Sequence, residues 1–88
     1  MTSPSSLTTI HTPEQLGAIL RDQRRARKMS QSQLATRLNI SQSWFSDLEQ
    51  NPAEINLARL LLIAKTLGLE VLVRSQDETP GSTPREDW

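Results

Sequence analysis

Gln42, Ser43, Ser46 and Asp47 lie close together in the stretch SQSWFSDLEQ, Ser41 to Gln50. They supply an amide, two hydroxyls and a carboxylate. A glutamine amide can pair with an adenine edge through two hydrogen bonds. A serine hydroxyl donates or accepts and so discriminates weakly, and an aspartate accepts from a cytosine amino group while phosphates repel it. At helical spacing these four share an outward face, and Phe45 and Leu48 turn inward. The stretch is either an ordinary amphipathic helix or a helix whose polar face reads base edges. Trp44 lies against a sugar-phosphate backbone or a thymine methyl, or it is half-buried against a neighbouring helix.

Other chemistry is poorly provided for. There is one histidine, His11, and no cysteine, so no disulfide framework, cysteine zinc site or thiol nucleophile is available. No phosphate loop, metal cluster or paired carboxylates stand out. No enzyme, cofactor or metal is expected. The longest apolar stretch, around Leu60 to Ala64, is too short to span a bilayer. The start, MTSPSSLTTIH, lacks the basic and apolar regions of a secretory signal. A cytoplasmic protein without a membrane partner is expected.

Ten basic and ten acidic residues give zero net charge, but the charge is unevenly placed. Residues 1–50 hold six basic and four acidic groups, and the remainder four and six. Arg21, Arg24, Arg25, Arg27 and Lys28 form one run. Such a run is either a solvated helix face or a phosphate-contacting patch. Arg24, Arg25, Arg27, Lys28 and Arg37 are candidates for contacts to a nucleic-acid backbone, which position a protein and carry most of the salt dependence. Ser30, Gln31 and Trp44 join them, because Ser30 and Gln31 sit where a helix begins and free amides point outward.

Eighty-eight residues make one small domain at most. Residues 1–11 read as a disordered lead. Thr12, Pro13 and Gln15 then start a helix through a cap, a first-turn proline and a capping box. Leu16, Ile19 and Leu20 continue it, to about Arg27. Ser30 and Gln33 repeat the capping box for a helix over 31–38 with Leu34, Ala35 and Leu38 inward. Asn39 suits a left-handed stop, Ile40 packs in the turn, and Ser41 caps a helix over 42–50. NPAEIN reads as a loop. Asn56 caps a fourth helix with Leu57, Leu60, Leu61, Ala64 and Leu67 as its stripe, and Gly68 ends it.

The period then changes to two. Leu69, Val71 and Val73 alternate with Glu70, Leu72 and Arg74, predicting a strand over 69–75. A lone strand leaves its backbone unpaired, and the same strand of a second copy is the simplest partner. Leu69, Val71, Leu72 and Val73 are the dimerisation candidates. A short helix and a packed extended tail are the alternatives. Residues 76–88 form a polar, proline-broken tail ending in Trp88, which is either a partner-binding anchor or without function.

The two short helices over 31–38 and 42–50, joined by three residues, suit a helix-turn-helix with the second helix in the major groove. A plain helical hairpin has the same spacing. MSQSQLATRLNISQSWFSDLEQN resembles the helix-turn-helix of the Cro/C1 repressor family. It matches through Ser30, Gln31, Leu34, Ala35, Ile40, Ser41, Gln42, Phe45, Ser46, Leu48 and Glu49, and departs at Asn39, where that family usually has glycine. The resemblance covers about residues 13–68. It implies a structural Glu49, and it puts Gln31, Gln42, Ser43, Ser46 and Asp47 on DNA-contacting positions.

The layout of PEQLGAILRDQRRARKMSQSQLA, LEVLV and a terminal EDW is similar to HipB-type antitoxins. That implies a four-helix, lambda-repressor-like domain over 12–68, a strand pairing across a homodimer, and a flexible partner-binding tail. It also implies a palindromic double-stranded operator, autorepression of a toxin–antitoxin operon, and a HipA-like serine/threonine kinase toxin as partner. A stand-alone Cro/C1-type repressor is the alternative, and an interaction module that never touches DNA is a third.

Overall fold

Each α-helix among the described residues begins at a side-chain cap. In the computed structural model, which describes residues 7–76, α1 is Pro13–Ala26, α2 Gln31–Leu38, α3 Gln42–Gln50 and α4 Leu57–Thr66. Thr12, Ser30, Ser41 and Asn56 each accept from a backbone N–H in the first turn, satisfying an amide that has no intrahelical partner. Ser30 and Gln33 close the expected capping box. At α1 the box is displaced: Gln15 accepts from His11 N–H at 2.9 Å and donates to the Thr9 carbonyl, so the glutamine holds the lead instead of the cap residue. The turn after α3 contains a short 3₁₀ segment, Pro52–Glu54, where a loop was expected.

Three of these helices, α1, α2 and α4, stop by the same device. Lys28 (φ 59°), Asn39 (φ 63°) and Gly68 (φ 76°) all occupy the left-handed region. The N–H of each reaches back to the carbonyl of Arg25, Thr36 or Lys65. The next residue, Met29, Ile40 or Leu69, donates to Arg24, Ala35 or Ala64 respectively. This pair of bonds is the Schellman closure. Met29, Ile40 and Leu69 are then packed partly buried against the core. Lys28 is the unforeseen member, since a long side chain in this region is strained. Lys28→Gly is expected to raise stability by about 0.5–1 kcal/mol after the entropy of the more flexible unfolded chain is subtracted. That is a rise of a few degrees in a thermal melt; a lower melting temperature would refute the strain at Lys28.

The core joins all four helices: Leu20 from α1, Leu34, Ala35 and Leu38 from α2, Phe45 from α3, and Ile63 and Leu67 around the end of α4. α2 packs on α3 and α4, and α1 packs on α3 and the 3₁₀ segment. Gly17 permits the last contact, because a Cβ there would stand 2.7 Å from Pro52 Cγ.

Two expectations are corrected. The buried face of α4 is Ile63 and Ala64 with Leu60 and Leu67, while Leu57 and Leu61 are exposed at 66% and 47%. Leu60–Ala64 is apolar all round, so the run alone leaves the inward stripe undecided. Residues 69–75 carry no strand. A strand exists through its ladder, and among the described residues nothing extended lies alongside; Leu69 instead completes the closure of α4. Val71, Leu72 and Val73 are exposed.

Candidate nucleic-acid interface

The inward side of α3 holds Phe45, Leu48 and Glu49. At about 100° per residue Gln42, Ser46, Ser43 and Asp47 follow in that order around the outer arc, which begins at Gln42 beside Glu49. Gln42, Ser43 and Asp47 are exposed and Ser46 is half-buried. Among the described residues none of these four side chains is committed to a hydrogen bond. Gln50 lies within the same arc and is exposed too; its position seven residues after Ser43, two turns along one face, is the signal that identifies it.

One buried polar node fixes the angle of that helix. Glu49 accepts from Arg24 Nε at 2.8 Å and Nη2 at 3.2 Å, and from Gln31 Nε2 at 2.9 Å. Arg24 also donates to the Met29 carbonyl at 2.9 Å. α1 and the first residue of α2 thus meet the end of α3 at one carboxylate, and Arg24 ties the turn before α2 to the same node. Glu49 has the structural role the family resemblance implied. Arg24, expected at a nucleic-acid backbone, is buried in this pair. The reason is helical: Gly17, Leu20 and Arg24 follow at i, i+3 and i+7 on the inward stripe of α1. No buried side-chain nitrogen or oxygen among the described residues lacks a partner.

Arg27, Lys28 and Arg37 do come together. With Met29, Ser32, Gln33 and Thr36 they line an open groove of about 380 Å³ between the end of α1 and the outer side of α2. The Arg27 guanidinium also lies against Gly68, near the carbonyl end of α4, where a cation is favoured. The Ser30 hydroxyl is occupied with the Gln33 amide. Gln31 stays half-buried on Glu49. Trp44 is 46% exposed, and the Arg59 guanidinium stands 4.5 Å from its ring centroid. Trp88 and nearly all of the 76–88 tail lie outside the described residues. Among the described residues no His, Asp and Glu group is arranged to hold a metal ion, and no helix is long and apolar enough to cross a membrane.

Residues 20–73 match the helix-turn-helix family model. The chain belongs to the helix-turn-helix family, of the Cro/C1 type, and is a DNA-binding domain by class. Within that class it is similar to HipB. It aligns with a chain of a HipA–HipB–O2–O3 complex at 27% identity and TM-score 0.72, covering 81% of this chain and all of the other. A serine-to-alanine HipB variant in complex with an O2 20mer matches at 26% and 0.72, over 82% of this chain. HipB in an O4 20mer complex matches at 27% and 0.71, over 81%. None of the curated proteins matches significantly.

Proposed function

We propose that the chain is a dimeric, sequence-specific transcriptional repressor that also serves as the antitoxin to a HipA-like kinase. The observation that carries the DNA-reading role is the outward arc of α3, with Gln42, Ser43, Ser46 and Asp47 uncommitted while Phe45, Leu48 and Glu49 lock the helix from behind. Arg27, Lys28, Arg37 and the α2 start at Ser30 and Gln31 flank it as backbone contacts, and the half-exposed Trp44 stands at its margin. The apolar side chains Leu57, Leu61 and Leu62 of α4 and Val71, Leu72 and Val73 after it are exposed, and burial against a second copy would remove them from water. A strand at 69–75 then forms only when the partner's segment supplies its ladder. The HipB chains in complexes with HipA and with 20mers support the kinase and operator assignments.

Selection from a randomised duplex pool tests the DNA role. A palindrome is expected, with half-sites about one helical turn or a multiple apart. On that site Gln42→Ala is expected to weaken binding by about 1–3 kcal/mol and relax the preference at one base pair. Unchanged affinity and preference would remove Gln42 from base reading. Pull-down of a HipA-like kinase by the full chain, with and without residues 76–88, tests the tail; equal recovery would remove Trp88 from the mechanism, and no recovery by either would favour a stand-alone repressor.

A further inference from the structure

Arg59 belongs to no motif identified above, and its surroundings are unusual for a surface arginine. It is the third residue of α4, on a turn whose backbone N–H donates to Asn56 at 2.7 Å. Its guanidinium is stacked on Trp44, 4.5 Å from the ring centroid. Among the described residues the only ion pair joins Arg24 and Glu49, so Arg59 faces no carboxylate there. Trp44 lies at the margin of the outward arc of α3, next around the helix from Asp47, and is half-exposed. The stack therefore stands at the edge of the surface that would meet DNA. A planar guanidinium on an indole face is restrained in orientation yet keeps its N–H edge free, and that edge matches a phosphate in a bidentate way. The first turn of a helix is also the end where a cation is least favoured by the macrodipole, so an arriving anion relieves an unfavourable placement.

We infer that Arg59 is a DNA-phosphate contact, and that Trp44 acts on DNA as its positioning residue. The inference rests on the DNA-binding role proposed above and assigns that interface a further side chain. It also decides between the two alternatives for Trp44: the ring is a platform, and the contact to the backbone is made by the arginine it holds.

The test needs no operator, because phosphate contacts are read by the salt dependence of binding to any duplex. The full chain and its Arg59→Ala, Arg59→Lys, Trp44→Leu and Arg59→Ala/Trp44→Leu variants are titrated onto a mixed-sequence duplex at several salt concentrations. Arg59→Ala leaves one phosphate per chain without its cation, and the slope of log K against log salt becomes shallower by about 0.9 for each such phosphate. Arg59→Lys keeps the slope and loses affinity, because an ammonium does not reproduce the planar fork. Trp44→Leu weakens binding in the parent chain and has no further effect once Arg59 is alanine. An unchanged slope in Arg59→Ala overturns the phosphate contact. An equal effect of Trp44→Leu with and without Arg59 overturns the positioning role. Failure of the parent chain to bind any duplex in a salt-dependent way overturns the DNA-binding role along with it. Thermal melts of the variants accompany the titrations; Arg59→Ala, which removes a partly exposed side chain, decides the contact even if Trp44→Leu unfolds.

Discussion

Arg24→Met is expected to destabilise the chain by about 3–5 kcal/mol, the usual consequence of leaving a buried charge without its partner. Glu49 accepts two bonds from Arg24 and one from Gln31, and both members of the ion pair are buried. Methionine fills much of the arginine volume but returns none of its donors. The Glu49 carboxylate keeps one partner, and the Met29 carbonyl loses the guanidinium that met it. A small domain has roughly 5–15 kcal/mol to lose, so the denaturation midpoint in urea should fall by a large fraction at similar slope. Arg24→Met with Glu49→Leu should recover most of the loss, because removing both charges is often neutral or stabilising. A single variant within about 1 kcal/mol of the parent, far below the 3–5 kcal/mol for a broken buried pair, would mean that water reaches Glu49 freely. The double variant should nevertheless bind DNA more weakly than its stability suggests, since Gln31 loses the acceptor that holds it at the start of α2.

Phe45→Ala is expected to cost a further few kcal/mol by a different mechanism, about 3–5 for a fully buried phenylalanine. Phe45 is 1% exposed and is among the largest fully buried side chains. Its ring is the inward anchor of α3, in a cluster drawn from all four helices. Alanine leaves a cavity that rigid neighbours fill only in part. Leu48, at 7% exposure and outside that cluster, should lose less on truncation to alanine. Urea titrations of the two variants check the order; a larger loss at Leu48 would place the anchor of α3 nearer its C-terminal end. DNA binding should fall in parallel with α3 order, because Gln42 and Ser46 point where Phe45 and Leu48 allow.

Much of this architecture was legible in the residues. The edges of α2 and α3 follow from Ser30, Gln33, Asn39 and Ser41, because capping and left-handed closure are local chemistry. The division of α3 into Phe45 and Leu48 on one side and Gln42, Ser43, Ser46 and Asp47 on the other follows from helical period. The face of α4 was not legible, since Leu60–Ala64 is apolar on every side and only the neighbours choose between Leu61 and Ile63. Arg24 was hidden in a run of like residues, and its inward position shows only when α1 is followed from Gly17 through Leu20. The strand over 69–75 is absent from the single chain for another reason: alternation specifies a face, whereas pairing depends on a second edge. Trp44 was ambiguous because its platform role needs Arg59, fifteen positions further along the chain.

The Schellman closures bear on how the chain folds. Lys28, Asn39 and Gly68 each complete their reversal with bonds that reach back no more than five residues. Each reversal also delivers the apolar residue that follows it to the core. The instructions for turning the chain are therefore stored beside each turn and need no distant contact to be read. Low contact order of this kind accompanies folding in about microseconds to milliseconds. The Arg24–Glu49 pair, by contrast, joins positions twenty-five apart and so closes a far longer loop.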